Sequence, residues 1–322
     1  MAVFQLIEIL TRELFTMNFR NDNVCAVVVT FFPDPGFTER LRIISEQAKK
    51  VIIVDNSSTA KISQNLTTAL QGKIDIELIK NSVNLGVAAA LNQGVRKGLG
   101  YGYSWIVTFD QDSAPQQNMV KKMLETWKTY PKTDQLMIMG PKTTFTNCSP
   151  KPMADQEDKP WEVVSHVITS GSLISKRAFE LVGFFDSNLC IDYVDIEYCL
   201  RLKSRGYDII QARDALLLHS IGNIKEHSIF GENVHPTHHD PVRRYYQFRN
   251  ALLLHRVYKE RQSEWYKHNR IILLKIICLI LLYEKRRMSS LLQIVKGVLH
   301  GLSGRAGKRG EIVWRPKVLD ID

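Results

Sequence analysis

The 322-residue sequence predicts an α/β fold in which helices flank a nucleotide-binding sheet of Rossmann-like type. Two observations predict it. Apolar runs of strand length recur along the first third of the chain, and segments with helical periodicity separate them. Polar residues also follow each apolar run, as expected where strands end at a ligand-binding edge. Strands that are apolar almost throughout are typical of sheets covered by helices on both faces.

The predicted elements begin near Val24, and residues 1–23 form an N-terminal extension, with Met17 as a possible functional start. A helix is predicted between the second and third strands, within NLGVAAALNQGVRKG (84–98). Gly86 opens this helix in close contact with a ligand, and the alanines after it keep the helix slim. The three strands are AVVVTFFP over 26–33, VIIVDNSS over 51–58 and WIVTFDQD over 105–112.

Two carboxylates, Asp110 and Asp112, follow the third strand. They suit a hard divalent cation, Mg²⁺ or Mn²⁺, which prefers oxygen ligands and in turn neutralises phosphate oxygens. The pattern therefore predicts a metal-bound diphosphate at this edge of the sheet. The alternative is that Asp112 and Ser113 cap a helix that starts near Pro115.

Motifs after residue 160 extend the pattern and reveal a resemblance. The segments SGSLISKRAFELVGFFD (170–186) and DYVDIEYCLRLKSRGY (192–207) follow the three strands. In order and spacing, the chain resembles the inverting family 2 glycosyltransferases with the GT-A fold, which implies a mixed sheet flanked by helices, followed here by a C-terminal helical extension. The first segment resembles the family's acceptor-side strand and helix, and the second resembles its catalytic-base segment. HHDPVRRYYQFRN (238–250) is similar to the rhamnosyltransferase branch of that family. The likeness covers residues 24–255, which are predicted as the catalytic domain.

The resemblance implies a metal site and a general base. Asp112 would coordinate the metal, Asp110 would contact the ribose or a metal-bound water, and His219 would supply a further ligand. An ordinary strand-end histidine bonded to the backbone is the alternative for His219. Asp195 matches the family's catalytic aspartate, and Asp192 is the alternative because Val194 stands where an acidic residue is commoner. Capping of a helix that begins near Asp195 is the ordinary interpretation of both acids.

Glu197 and Arg201 lie four residues apart in the predicted helix, which indicates a supporting ion pair. Ser170 and Gly171 are expected to shape the floor on the acceptor side, together with Asp192. Arg249 is the preferred phosphate-binding arginine of the segment 243–249, since guanidinium groups bind phosphate bidentately. Contacts with the nucleotide sugar are implied for Thr30, Asp55, Asn84, Gly86, Asn92, Asp110 and Arg249.

The tail, residues 256–322, is strongly basic. It carries 15 Lys and Arg against 6 Asp and Glu, so it holds nine of the ten net positive charges. Its longest apolar run, IILLKIICLILLY (271–283), has 13 residues, too few for a span that needs about 20. A second stretch places Leu291, Val295, Val298 and Leu302 on one helical stripe. Amphipathic helices at an anionic membrane surface and a hairpin packed on the catalytic domain are both open interpretations.

The predicted function is transfer of a sugar, from dTDP-L-rhamnose or another donor such as a UDP-hexose, to a hydroxyl of a lipid-linked or growing bacterial surface polysaccharide. The predicted cofactor is Mg²⁺ or Mn²⁺. The expected location is the cytoplasm, at the inner face of the cell membrane. A non-catalytic glycan-binding or membrane-binding module is a more distant alternative, and a sugar nucleotidyltransferase is disfavoured because FFPDPG stands where its basic phosphate loop would be.

The motifs exclude nucleic-acid binding and P-loop nucleotide binding from the prediction. No nucleic-acid motif accompanies the basic charge, so nucleic acid is not an expected partner. The stretch GRAGKRG (304–310) lacks the glycine spacing of a P-loop and the Ser or Thr after Lys308.

Overall fold

A computed structural model describes residues 23–57, 75–145, 159–219, 227–229, 232–234, 240–310 and 313–314. The N-terminal extension predicted for residues 1–23 lies outside these residues except for Asn23.

Nine of the strands in this described part form one mixed sheet in the order β3-β2-β1-β4-β8-β6-β9-β5, with β7 also paired to β9. The helices pack on its two faces and continue into the C-terminal region. The strands are β1 (Val24–Thr30), β2 (Lys50–Asp55), β3 (Asp75–Lys80), β4 (Trp105–Asp110), β5 (Ser113–Pro115), β6 (Leu136–Phe145), β7 (Trp161–Val163), β8 (Leu173–Ser175), β9 (Asp208–His219), β10 (His227–Ile229), β11 (Glu232–Val234), β12 (Arg305–Ala306) and β13 (Val313–Trp314). The helices are α1 (Phe37–Ser45), α2 (Val87–Gly100), α3 (Met119–Thr129), α4 (Lys176–Val182), α5 (Val194–Ser204), α6 (Pro241–Tyr258), α7 (Ser263–Tyr283) and α8 (Arg287–Ser303).

The parallel half of the sheet carries the predicted polar edge. Strands β2, β1 and β4 are neighbours and parallel, with Thr30 paired to Asp55 and Val29 paired to Asp110 in the register. The polar residues that end these strands therefore meet at one edge, as the sequence predicts. Alternate residues of β1 serve the two sides of the sheet: Val27 belongs to one buried cluster and Val28 to the other.

Helix α2 approaches the sheet very closely because glycine stands at its contact points. A Cβ on Gly94 would lie 2.4 Å from Val27 Cγ1, so no larger residue fits there without a shift. Gly86, just before the helix, has a φ of +87° and lies against Cys190. The helix begins directly after Gly86, as predicted, and the close contact that Gly86 makes in the structure is with Cys190.

The helix predicted near Pro115 is wrong. Residues 113–115 form β5, which pairs antiparallel with the end of β9, and α3 begins only at Met119. Asp112 and Ser113 therefore do not cap a helix. The sheet is mixed, as the resemblance implies, because β8 runs antiparallel to β4. The edge strand β3 has no counterpart among the three predicted strands.

The tail packs on the catalytic domain as a helical hairpin. Helix α8 lies so close to α6 that a Cβ on Gly297 would be 2.5 Å from the Tyr245 carbonyl oxygen. The predicted stripe of four residues is divided: Leu291 and Val298 pack inward, whereas Val295 and Leu302 are exposed. Over the described residues, no helix has the length and apolar character required to span a membrane.

Candidate active site

A cleft of about 870 Å³ opens at the carboxyl ends of β1 and β4. The start of α2, the loop before α5 and the helices of the C-terminal region complete its walls. The structure thus brings together residues that are far apart in the sequence. The predicted site residues that line this cleft are Thr30, Asn84, Gly86, Asp110, Asp112, Asp192 and Asp195.

Buried hydroxyl groups fix the turn that carries Asp110 and Asp112. The Asp110 amide donates to Ser170 Oγ over 3.1 Å, and Ser170 Oγ donates to Ser113 Oγ over 2.6 Å. Both serines are fully buried. Ser170 therefore acts from behind the turn, because it holds the backbone on both sides of the two carboxylates.

Gln111, between the two acids, ties the same turn to β1 and α1. Its Oε1 accepts a hydrogen bond of 2.7 Å from the Phe31 amide, and its carbonyl oxygen accepts one of 2.8 Å from Arg40 Nε. The sequence analysis assigned no role to Gln111. With its side chain engaged in this way, the turn has a defined conformation in which Asp110 and Asp112 both reach the cleft.

The carboxylates suit a cation that binds together with phosphate. In the part of the chain that the structure describes, no group of three or more His, Cys, Asp or Glu residues is arranged to hold a metal ion. Mg²⁺ sites of nucleotide enzymes commonly use one or two carboxylates and complete the shell with phosphate oxygens and water. Asp110 and Asp112 fit that donor set. The backbone of His219 pairs with Ser113, next to the turn, and its side chain lies outside the described structure.

At the other end of the cleft, Asp55 is a hub of hydrogen bonds. Its Oδ1 accepts from Thr30 Oγ1 over 2.9 Å and from Ser57 Oγ over 2.6 Å. Asp55 is buried beneath Thr30 rather than among the residues that line the cleft. Asn56 does line it, and its Nδ2 donates to the Gly86 carbonyl oxygen over 3.2 Å. These contacts hold the start of α2 against the end of β2.

Asp195 and Asp192 have different surroundings in the cleft. Asp192 pairs with Arg243, whose Nε and Nη2 lie 3.1 and 3.0 Å from Asp192 Oδ1. Asp195 stands in the first turn of α5, where its Oδ1 accepts from the Ile196 amide over 2.8 Å. Burial raises the pKa of the Asp195 carboxyl, and hydrogen bonds from Ile196 and Thr169 oppose part of that rise. Neither acid is the N-cap of α5, which is Tyr193.

Arg243 adds positive charge to this group of acids. Desolvation lowers the pKa of its guanidinium, but the facing carboxylates of Asp192, Asp110 and Asp112 outweigh that effect, so the pKa is raised. Arg243 is therefore within electrostatic reach of the acids at the strand edge as well as of Asp192.

The predicted ion pair of Glu197 and Arg201 is confirmed at 2.7 Å. Glu197 is fully buried and also accepts a hydrogen bond of 3.0 Å from Tyr258. The hydrogen bond from Tyr258 fastens α5 to α6, and neither Glu197 nor Tyr258 is among the residues that line the cleft.

Three other predicted residues lie away from the cleft. Asn92 is buried in α2, where its side chain exchanges hydrogen bonds with the backbone of Phe185 over 2.8 and 3.0 Å. Arg249 is fully buried and donates to backbone carbonyl oxygens of Asn188 and Gly307. Gly171 has a φ of +78° and packs against Pro141, behind Ser170. The structure therefore gives these residues partners within the protein.

The tail contributes residues that the sequence analysis did not assign to the site. Asn269, Ile272 and Ile276 of α7 line the cleft, as does Lys308 beyond α8. Asn269 Nδ2 donates to the Tyr193 hydroxyl over 2.9 Å, and burial raises the pKa of that tyrosine to about 12. No local pattern in the sequence connects α7 to a loop 76 residues earlier.

Comparisons with known proteins identify relatives of this chain. The profile of the family described as "Glycosyl transferase family 2" matches residues 25–183. The dTDP-rhamnosyl transferase RfbF of Shigella flexneri is 34% identical over 249 residues, which cover 73% of this chain and 80% of RfbF. The low-salt glycan biosynthesis hexosyltransferase Agl10 of Haloferax volcanii is 20% identical over 307 residues, which cover 89% of this chain and 93% of Agl10.

A solved structure shares the architecture. The crystal structure of GalNAc-T7 with UDP, GalNAc and Mn²⁺ has a TM-score of 0.54 to this chain at 10% identity, and the match covers 76% of this chain. This chain spans about half the length of that protein, 49%. At such low identity the likeness concerns the fold alone, and it confirms the predicted GT-A arrangement of sheet and helices.

Proposed function

This chain belongs to glycosyl transferase family 2, and from that membership we propose that it transfers L-rhamnose from dTDP-L-rhamnose to an acceptor hydroxyl, with inversion at the anomeric carbon. The 34% identity to a dTDP-rhamnosyl transferase carries the choice of donor. The cleft that holds Asp110, Asp112 and Asp195 supports the reaction type.

Asp195 is proposed as the general base. A carboxylate whose pKa lies nearer to neutral takes a proton from a hydroxyl more readily than an ordinary exposed one, and burial shifts Asp195 in that direction. Asp192 is less suited, because its carboxylate is engaged in an ion pair of 3.0 Å with Arg243. Direct attack by the deprotonated hydroxyl on the anomeric carbon, opposite the leaving diphosphate, gives inversion.

Asp110 and Asp112 are proposed to hold a divalent cation with the donor diphosphate, Asp112 by direct coordination. When bound, such a cation neutralises the charge that develops on the departing nucleoside diphosphate. The hydrogen bonds of Ser170 and Gln111 keep the two carboxylates in position for this. His219 stays a proposed further ligand.

Thr30, Asn84 and Gly86 are proposed to contact the nucleoside, with Asp55 acting through Thr30. Ser170 and Gly171 support the turn under the donor sugar rather than touching the acceptor, given their buried positions. Asp192 would face the acceptor side together with Arg243.

The acceptor is proposed to be linked to a lipid at the membrane surface. The outer face of α7 and α8 exposes large apolar side chains, with Leu274 64%, Leu299 60% and Met288 67% accessible. Exposed apolar patches rimmed by basic residues favour an interfacial location. Ile272 and Ile276 of the same helix line the cleft, so α7 contributes apolar side chains both to the site and to the outer surface. A bacterial surface polysaccharide under assembly on a polyprenyl diphosphate matches both features.

A donor panel tests the proposal. The purified protein is incubated with dTDP-rhamnose, UDP-hexoses and GDP-mannose in the presence of Mg²⁺ or Mn²⁺, and release of each nucleoside diphosphate is measured. Release of dTDP alone supports the proposal. Preferred release of UDP would replace the donor with a UDP-hexose, and no release from any donor, with or without a glycan acceptor, would leave a non-catalytic binding module as the explanation.

A further inference from the structure

We propose that Lys308, in the C-terminal segment 305–310, is part of the donor site and binds the diphosphate of the nucleotide sugar. This inference rests on the proposed function and deepens it, because it assigns a phosphate-binding residue in the tail. The stretch GRAGKRG (304–310) lacks the spacing of a P-loop, yet the fold places its Lys308 in the lining of the cleft.

The segment is held firmly by the catalytic domain. The Gly307 amide donates to the Asn188 carbonyl oxygen over 2.8 Å, and the Gly307 carbonyl oxygen accepts from Arg249. The Arg309 amide donates to the Tyr246 hydroxyl over 3.0 Å. Lys308 therefore lies between two anchored residues, and its backbone has little freedom.

Arg249 explains the stability of this arrangement. Its guanidinium is fully buried, donates to Asn188, Leu189 and Gly307 and lies 4.8 Å from the centre of the Tyr246 ring. An arginine placed in this way joins the turn at 188–189 to the tail segment. Arg249 is thus a positioning residue for Lys308, and its buried location follows from that task.

The charges in the cleft leave Lys308 available for a ligand. The lining contains four carboxylates, Asp110, Asp112, Asp192 and Asp195, and the cations Arg243 and Lys308. Arg243 is engaged with Asp192. Within the described ranges, no carboxylate forms an ion pair with Lys308.

The chemistry of Lys308 suits the diphosphate, because a nucleoside carries no charge for an ammonium group to bind. Lys308 and Cys190 both line the cleft, and Cys190 lies against Gly86 just before α2. An ammonium on a flexible stem binds phosphate as a point charge and adapts when the bond to the sugar breaks. The diphosphate gains charge at that moment, so the contact strengthens as the leaving group departs.

The test is the affinity of the full-length protein for dTDP in MgCl₂, measured by isothermal titration calorimetry. Lys308→Met removes the charge and keeps the aliphatic stem, and Lys308→Arg keeps the charge. Arg309→Ala is the matched control, because it removes the neighbouring cation, whose side chain is exposed. We expect Lys308→Met to weaken dTDP binding about 10- to 100-fold, as for loss of a charge-assisted hydrogen bond, with Lys308→Arg within about fivefold and Arg309→Ala within about twofold of wild type.

The outcomes separate this inference from the proposed function. If wild type binds dTDP and Lys308→Met binds it equally well with an unchanged melting temperature, Lys308 is not a donor ligand and the proposed function stands. A loss confined to the KM of the lipid-linked acceptor would likewise overturn the inference, since the phosphate would then belong to the acceptor. If wild type binds no nucleoside diphosphate, the proposed function itself fails.

Discussion

Replacement of Asp195 by asparagine is the most direct test of the proposed chemistry. Asparagine preserves the size of the side chain and an oxygen that can accept the Ile196 amide, but it cannot take a proton. General-base catalysis typically contributes about 10²- to 10⁴-fold to the rate. We therefore expect kcat for dTDP release to fall by about that factor, with little change in dTDP affinity.

The wild-type pH profile follows from the raised pKa of Asp195. The base is active when ionised, so kcat/KM falls as the pH decreases through that raised pKa, above the value of about 3.9 that is ordinary for aspartate. The acidic limb of the profile should disappear from the residual activity of Asp195→Asn. Initial rates between pH 4.5 and pH 8.5 measure both effects.

The same raised pKa means that the ionised Asp195, which the reaction needs, lowers the stability of the folded protein. The folded protein disfavours the charged form of Asp195, so the penalty is absent below the unfolded pKa and complete above the folded pKa. Asp195→Asn removes a desolvated charge, so its melting temperature at pH 7.5 should equal or exceed that of wild type. Loss of activity in a protein that is no less stable rules out misfolding.

Asp192→Asn is the matched control for this prediction. It releases Arg243 from its ion pair and should change turnover by less than about tenfold, because the base is intact. The assignment of the base is refuted if Asp195→Asn keeps more than a tenth of wild-type turnover while Asp192→Asn falls below a tenth.

Three further predictions concern the turn that carries Asp110 and Asp112, the packing of α8 against α6, and the exposed face of α8. Ser170→Ala removes the hydroxyl that bonds the Asp110 amide and Ser113, and it should cost about 1–3 kcal/mol of unfolding free energy in urea, together with weaker dTDP binding in the presence of Mg²⁺; wild-type values for both would contradict the role of this hydroxyl. Gly297→Val should lower the melting temperature, because its Cβ would lie 2.5 Å from a backbone oxygen, whereas Gly100→Ala, with nothing within 4 Å, should not. Leu292 and Leu299 are exposed on α8. The double change Leu292→Glu and Leu299→Glu should reduce co-sedimentation with anionic vesicles by more than tenfold, because each leucine that enters the lipid contributes about 1.5–3 kcal/mol to binding. Unchanged co-sedimentation would refute the proposal that this surface binds a membrane.

The sequence predicts the parallel half of the sheet well because each of its strands has a local signature. Strands β1, β2 and β4 are apolar throughout, and each ends in polar residues, so their common edge follows from simple topology. Strand β3, DIELIK, is partly exposed and contains charged residues, so its alternation of apolar and charged residues is a weaker strand signal than a continuous apolar run. Strand β5 is only three residues long and exists because β9 pairs with it, which no local pattern can indicate.

Site residues follow the same rule. Asp110 and Asp112 are recognisable as candidates from their position after a strand, and the resemblance to family 2 glycosyltransferases singles out Asp195. An arginine among aromatic residues has the same local pattern whether it faces a phosphate or buried carbonyl groups, so the sequence alone does not locate Arg249. The place of Lys308 in the lining of the cleft depends on contacts between Gly307 and Asn188, more than 100 residues earlier, and requires the three-dimensional structure.

Helix α7 and Lys308 form part of the cleft wall, which matters for the design of a soluble variant. Truncation at residue 255 would remove Asn269, Ile272 and Lys308 from the cleft, so the shortened protein should bind its substrate poorly although its exposed apolar surface is gone. Solubility is better sought by exchanging outward-facing leucines such as Leu274 for polar residues. The hairpin thus forms part of the cleft wall as well as an apolar outer surface.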